Sequence, residues 1–123
     1  MKTILLCEDS KALSDFLYET LKANGYEVLT ADNGYDALAK ARNDHPDLIL
    51  LDLMLPKIDG LKICRMLKFD EKYKKIPIII FTAKAEESDQ ALGFQVGADA
   101  YIPKTIGPAK LLEKLKEFLG EQP

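Results

Sequence analysis

Leu48-Ile49-Leu50-Leu51-Asp52 is a run of four aliphatic residues that stops on a carboxylate. Four consecutive apolar residues without polar alternation read as a strand covered on both faces. Two other runs are of the same kind: Thr3-Ile4-Leu5-Leu6-Cys7, and Ile78-Ile79-Ile80-Phe81 introduced by Pro77. Ala100-Tyr101-Ile102 is shorter. Tyr26-Glu27-Val28-Leu29-Thr30 alternates, as expected near a sheet edge.

Helical spacing fills every interval. Leu13, Phe16, Leu17 and Leu21 form one stripe, which Asn24-Gly25 ends as a left-handed cap. Asn33 caps a second helix with Ala37, Leu38 and Ala41 inward, and His45-Pro46 stops it. Leu61, Cys64 and Leu67 follow Asp59-Gly60. Ala91, Leu92 and Phe94 form a fourth stripe ending at Gly97. Leu111, Leu112, Leu115, Phe118 and Leu119 form a fifth, ending at Gly120. Strand and helix therefore alternate five times, which predicts an α/β fold with a doubly wound five-stranded parallel sheet and five helices on its two faces.

The composition limits what such a fold can do. With 123 residues the chain reads as one domain, 1–123. Its 20 acidic and 17 basic groups give a net charge of −3, which offers no electrostatic case for direct nucleic-acid binding. No apolar run approaches the roughly 20 residues that span a bilayer. Glu8 and Asp9 interrupt the N-terminal apolar run too early for a signal peptide. Cys7 and Cys64 are expected as reduced core residues of a cytoplasmic protein, and His45 carries no assigned chemistry. Charge is segregated. Residues 1–52 carry 5 basic and 10 acidic groups, a net −5, whereas residues 57–84 carry 8 basic and 3 acidic groups, a net +5. The positive stretch reads either as a solvated loop or as a docking patch for an acidic partner.

In open α/β sheets the site lies beyond the carboxyl ends of the strands. Glu8 and Asp9 follow the first strand, Asp52 the third, Thr82 ends the fourth and Lys104 follows the fifth. Three carboxylates held together repel one another, and a hard cation relieves that repulsion. Mg²⁺ suits such oxygen ligands, with Asp9 and Asp52 binding it and Glu8 reaching it through water. Lys104 and Thr82 are then left for anionic oxygens. This donor set is built for phosphoryl transfer onto a carboxylate that attacks in line.

These residues carry a resemblance. Glu8-Asp9, the segment Leu51-Asp52-Leu53-Met54-Leu55-Pro56-Lys57-Ile58-Asp59-Gly60, Phe81-Thr82-Ala83 and Gly97-Ala98-Asp99-Ala100-Tyr101-Ile102-Pro103-Lys104 occur in order across the whole chain. Together they resemble the receiver domain of two-component response regulators, in the shape of the chemotaxis response regulator. That resemblance implies a flavodoxin-like fold with strand order 2-1-3-4-5. It implies that Asp52 accepts a phosphoryl group from the phosphohistidine of a histidine kinase or phosphotransfer protein. Asp9, Asp52 and the Met54 backbone carbonyl would bind Mg²⁺, with Glu8 in support. Lys104 would contact the phosphoryl group, Thr82 would move toward it, and Tyr101 would turn inward as the switch aromatic. The face changed would be the fourth helix, fifth strand and fifth helix, and its reader a downstream effector protein. The role implied is regulatory, limited to the domain's own phosphotransfer and slow autodephosphorylation.

Some positions depart from the family. The proline that usually follows the lysine is replaced in Lys104-Thr105, where a cis bond would cost about 3–4 kcal/mol over trans. Ser10 replaces a frequent third acid, and Ala100 a second aspartate used in dimerisation by DNA-binding regulators. The expected state is a monomer or a phosphorylation-dependent dimer. Met54 and Lys84 occupy positions that tune phosphoaspartate lifetime in the family. After Leu119 only Gly120-Glu121-Gln122-Pro123 follow, so the expectation is a receiver with no output domain, either standing alone or cut from a longer regulator. Two other functions compete. An aspartate-nucleophile phosphatase wants an acid two residues after Asp52, where Met54 stands. A flavodoxin-like flavin carrier wants a glycine- and hydroxyl-rich phosphate loop where Glu8-Asp9-Ser10 stands. Thr82 also has a second reading, as the cap of the helix that follows it.

Overall fold

Side chains along a strand point alternately to the two faces of its sheet, so an apolar run demands cover on both sides. The computed structural model, which describes residues 1–84 and 86–121, meets that demand. Its elements run β1 (Thr3–Cys7), α1 (Lys11–Ala23), β2 (Glu27–Ala31), α2 (Gly34–Asp44), β3 (Leu48–Leu51), α3 (Gly60–Lys68), β4 (Ile78–Thr82), α4 (Glu87–Gln95), β5 (Ala100–Pro103) and α5 (Pro108–Phe118). A 3₁₀ turn, Lys104–Ile106, separates the last two. All strand pairs are parallel, in the order β2-β1-β3-β4-β5, so the alternating run forms an edge as expected.

The continuous strands feed two cores. Leu5, Cys7, Ile49, Leu51, Ile78 and Ile80 pack with Ala37, Leu38 and Ala41 of α2 and Ile63, Cys64 and Leu67 of α3. Ile4, Leu6, Leu48, Leu50, Ile79 and Phe81 pack with Leu17 and Leu21 of α1 and Leu111 and Leu115 of α5. Each such aliphatic side chain contributes about 1.5–3 kcal/mol by leaving water. The layers, more than helix propensity, therefore hold these short helices in place. Both cysteines are free and buried. Burial pushes the Cys64 thiol up to about 12 and raises Cys7 as well, so both are unreactive core groups.

Local signals set the helix ends. Ser10, Asn33 and Asp59 each accept an N–H bond from the first turn of α1, α2 and α3. Gly34 has a further reason to be glycine. Its N–H donates to the Pro56 carbonyl at 3.0 Å, and a Cβ there would lie 2.3 Å from the Ile58 carbonyl oxygen. The start of α2 is thus pressed onto the loop after β3.

Two expectations are corrected. Phe16 is 53% exposed, because Leu13, Leu17 and Leu21 already occupy the inner face of α1. The stripe expected on α4 faces outward instead: Leu92 is 49% and Phe94 51% exposed, and Gly93 is the buried residue. A Cβ on Gly93 would lie 2.7 Å from the Tyr101 ring and 3.1 Å from Ile80. α4 approaches β5 through that glycine, which turns its larger apolar neighbours toward solvent. The described peptide bonds are all trans, Lys104-Thr105 included. No helix among the described residues is long and apolar enough to cross a membrane.

Opposite the strand carboxyl ends, Lys68 acts as a hub. Its ammonium lies 2.6 Å from Asp99 and donates to the carbonyls of Lys74 (3.0 Å) and Ile76 (2.8 Å). Asp99 also accepts the Ile78 N–H at 2.8 Å. One largely covered lysine so closes the loops on either side of β4, with all three donors used. Lys68→Met should cost about 1–2 kcal/mol, because two carbonyls lose their donor while the exposed Asp99 keeps water. Asp99→Asn should cost less, since the amide oxygen still accepts the Ile78 N–H. Urea unfolding with an unchanged m-value checks both.

The buried Tyr26 hydroxyl donates to Glu121 at 2.8 Å and fastens the C-terminal end of the described chain to the start of β2. Burial, then this bond and the Glu121 charge, push the Tyr26 phenol up to about 12. A raised folded-state pKa means that its stabilisation is complete below the unfolded value near 10 and is lost as pH rises toward 12. Phenolate absorbance during alkaline titration should show one tyrosine ionising near pH 12 in the wild type and earlier in Glu121→Ala.

Candidate functional site

Parallel register decides which residues meet. Cys7 pairs with Leu51, Leu51 with Ile80, and Thr82 with Pro103, so the residues just beyond β1, β3, β4 and β5 share one edge. Pairing continues a step past the strands. The Glu8 N–H donates to Ala31 at 3.0 Å and the Asp52 N–H to Cys7 at 3.1 Å. The backbones under both carboxylates are therefore fixed by the sheet itself.

Asp52 is 4% exposed, and each of its oxygens has a partner. Oδ1 accepts the Met54 N–H at 3.1 Å, and Oδ2 accepts from Lys104 Nζ at 2.8 Å. Lys104 opens the 3₁₀ turn after β5, and its ammonium reaches Glu8 Oε1 as well, at 2.7 Å. The other Glu8 oxygen accepts the Ser10 N–H at 2.9 Å, and Ser10 in turn caps α1. Burial works against the Lys104 charge, but hydrogen bonds and charge from Asp52 and Glu8 outweigh it and raise its pKa.

One oxygen each from Glu8, Asp9 and Asp52 lies within 4.8 Å of the others. Glu8 and Asp52 are buried, whereas Asp9 is exposed. It borders a cleft of about 340 Å³ between α1 and α2, which Asp15, Asp32, Asp36 and Lys40 also line. Three carboxylates against one ammonium leave a formal excess of two negative charges. An all-oxygen donor set with that excess fits a hard divalent cation.

Thr82 and Tyr101 lie to one side of the carboxylates and are joined through backbone. The buried Thr82 hydroxyl accepts the Lys84 N–H at 3.3 Å, and the Tyr101 hydroxyl donates to the Lys84 carbonyl. Burial, together with the charges of Asp89 and Asp52, raises the Tyr101 phenol pKa and keeps it a donor. The Tyr101 ring is half-buried against Gly93, with its centroid 6.5 Å from that of Phe94. The helix-cap reading of Thr82 does not hold, because α4 starts at Glu87 with Glu86 in the cap position.

Glu8, Asp9, Asp52, Thr82 and Lys104 are thus gathered at one edge, with Tyr101 linked through Lys84. For Met54 the group brought to Asp52 is the amide; its side chain is exposed. Two features escaped the sequence reading. One is the direct Glu8–Lys104 contact. The other is the Lys84 backbone link between Thr82 and Tyr101, which no residue pattern could reveal because the work is done by main-chain groups.

Comparison with known proteins agrees with this geometry. Residues 4–116 match the response regulator receiver domain family. The chain is 41% identical over 118 residues to the alkaline phosphatase synthesis transcriptional regulatory protein PhoP of Bacillus subtilis, covering 96% of this chain but 48% of that protein. It therefore spans about half the length of that relative. It is 38% identical over 120 residues to the polar-differentiation response regulator DivK of Brucella ovis, covering 98% of both. Among solved structures it is similar to the receiver domain of the sensor histidine kinase PA1611 from Pseudomonas aeruginosa. The TM-score is 0.89, with 31% identity and 98% of both chains covered. That structure has a magnesium ion coordinated in its active site cleft. A buried, lysine-paired aspartate beyond β3, on a five-stranded 2-1-3-4-5 sheet matched over nearly its whole length, identifies this chain as a member of the response regulator receiver domain family of two-component systems.

Proposed function

We propose that Asp52 is the phosphoacceptor of this receiver and that a histidine kinase or phosphotransfer protein supplies the phosphoryl group. The chain is a receiver of a two-component phosphorelay, regulatory rather than a classical enzyme. One observation carries the residue assignment: Asp52, just beyond the central strand β3, is buried with one oxygen on the Met54 amide and the other on the Lys104 ammonium, and both Glu8 and Asp9 lie beside it. An Asp52 carboxylate oxygen attacks the donor phosphorus, and a P–O bond forms as the donor's P–N bond breaks. The imidazole leaves with its nitrogen lone pair and takes up a proton from solvent.

The acidic cluster suits Mg²⁺, which Asp9 and Asp52 would hold with the Met54 carbonyl, and Glu8 through water. Bound there, a divalent cation supplies charge neutralisation for the phosphoryl oxygens. Lys104 does the same and already touches Asp52 Oδ2, so little reorganisation is needed. The Met54 amide orients the acceptor carboxylate.

Signalling follows from Lys84, whose backbone N–H and carbonyl are held by Thr82 and Tyr101. A dianionic phosphoryl group on Asp52 offers Thr82 a stronger acceptor than its present surroundings. A Thr82 hydroxyl that turns toward it releases the Lys84 N–H, while Tyr101 holds the same residue's carbonyl. The loop after β4, α4 and β5 therefore shift as one element between states that differ by a few kcal/mol. The reader of that change is a downstream effector protein at the α4–β5–α5 face. The unit acting is the receiver domain. It works in the cytoplasm as a monomer or as a phosphorylation-dependent dimer, without direct contact to nucleic acid or membrane. Met54 stands where a hydrolytic enzyme of the aspartate-nucleophile class needs its acid–base group, which disfavours turnover of outside substrates.

Incubation with a small acyl phosphate and Mg²⁺ should add the mass of one phosphoryl group. EDTA should abolish the addition, and Asp52→Asn should not gain it; unchanged modification of that variant would sink the assignment. Thr82→Ala should still accept phosphate but lose about tenfold of the phosphorylation-dependent gain in effector affinity. Titration calorimetry with the phosphorylated and unmodified forms reads that gain directly.

A further inference from the structure

The outward face of α3 has no part in phosphoryl transfer, yet its composition is not that of a solvated surface. Lys62, Arg65, Met66 and Phe69 stand at i, i+3, i+4 and i+7, so they form one continuous stripe along α3 and its C-terminal cap. Their opposite neighbours, Ile63, Cys64 and Leu67, are buried in the core, which fixes the stripe's direction toward solvent. Phe69 is 68% exposed and Met66 39%. The four residues line an open groove of about 610 Å³.

Three observations define what fits there. The floor is apolar and adaptable: a methionine and a phenyl ring side by side. Its rim is cationic. Arg65 lies over the Phe69 ring at 5.8 Å, which holds the guanidinium beside the groove, and the exposed Lys62 stands one turn earlier. Beyond Phe69, Lys72 and Lys75 are also exposed, and they belong to the stretch 57–84 whose net charge is +5 in a chain of net −3. Exposed aromatic and methionine side chains ringed by arginine and lysine have the make-up of a protein-binding surface.

We infer that the α3 stripe Lys62-Arg65-Met66-Phe69 is a docking site for an acidic amphipathic helix of a partner protein. Apolar side chains of such a helix seat on Met66 and Phe69, and its carboxylates meet Arg65, Lys62 and the lysines beyond. Nucleic acid matches the groove less well. One face of Phe69 is already covered by Arg65, and the first 52 residues, net −5, repel a long polyanion. The stripe starts next to the phosphoacceptor loop, since a Cβ on Gly60 would lie 2.7 Å from the Asp52 carbonyl oxygen, and it runs away from that loop. An occupant therefore leaves the acidic cluster open, and docking goes beyond phosphoacceptance without resting on it.

The test uses the full ¹⁵N-labelled chain titrated with a Glu-rich helical peptide bearing leucines at i, i+3, i+4 and i+7. Amide shifts confined to the stretch from Lys62 to Lys75 are expected, together with loss of binding to the same peptide with lysine for glutamate. The double variant Arg65→Glu, Phe69→Ser should bind at least about tenfold more weakly. Its phosphoryl uptake, read by intact mass, should equal that of the parent chain. Absence of shifts in the stretch, equal binding by the double variant, or equal binding of the lysine peptide would overturn the inference. So would tighter binding of a short single-stranded oligonucleotide or of phosphatidylserine vesicles to the same residues. Failure of phosphoryl uptake in the parent chain would instead count against the Asp52 assignment.

Discussion

The Lys104 ammonium, wedged between Glu8 and Asp52, is the contact on which the functional end of this molecule depends. It links the ends of three strands, β1, β3 and β5, through two contacts of 2.7 and 2.8 Å. Three acids gathered at one edge would otherwise repel one another. Lysine offsets part of that charge and leaves an excess suited to a divalent cation, so the site is electrostatically unfinished without a ligand. Nothing about the lysine alone gives it this role. Burial disfavours its charge, and the carboxylates restore it. Lysine and acids are each tolerable there because the others are present.

The opposite end of the sheet uses the same device for a different purpose. Lys68 is also a covered ammonium facing a carboxylate, but its remaining donors go to backbone carbonyls and its partner Asp99 accepts from backbone. That network closes loops and leaves no unfilled valence. Lys104, by contrast, has two acidic partners and a cluster whose charge is not balanced. The difference between a structural pin and a reactive site lies in charge balance: Lys68 faces one carboxylate, whereas Lys104 faces two with Asp9 beside them. At the carboxyl edge, the backbone N–H and carbonyl of Lys84 are held by Thr82 and Tyr101, which gives a charge change at Asp52 a physical route to α4 and β5.

Much of this could be read from residues in order. The aliphatic runs leading to Asp9, Asp52, Thr82 and Lys104 identified both the parallel sheet and the edge that carries chemistry, because strand polarity puts the residues after each strand on the same side. The cap Asn33 was legible because a short polar side chain there satisfies a backbone N–H group locally, whereas the caps Ser10 and Asp59 emerged only from the structure. The inward face of α4 was misjudged. Ala91, Leu92 and Phe94 have helical spacing, but Gly93 lets the helix sit close to Tyr101, and close approach outweighed side-chain area. Phe16 was misjudged for a related reason: three leucines already filled the inner face of α1.

By itself, then, the sequence determined the alternation of elements, the residue types at the strand ends and the segregation of charge. These depend on local periodicity and on strand polarity, and neither needs distances. Tertiary structure alone decided who pairs with whom. Glu8 meets Lys104 directly, Met54 contributes an amide to Asp52, Lys84 joins Thr82 to Tyr101, and Gly34 lets the start of α2 press onto the loop after Asp52. Those pairings depend on backbone groups and on contacts between residues as far apart as Glu8 and Lys104. A linear pattern does not encode them, because they exist only once the two apolar layers have closed and brought the strand ends together.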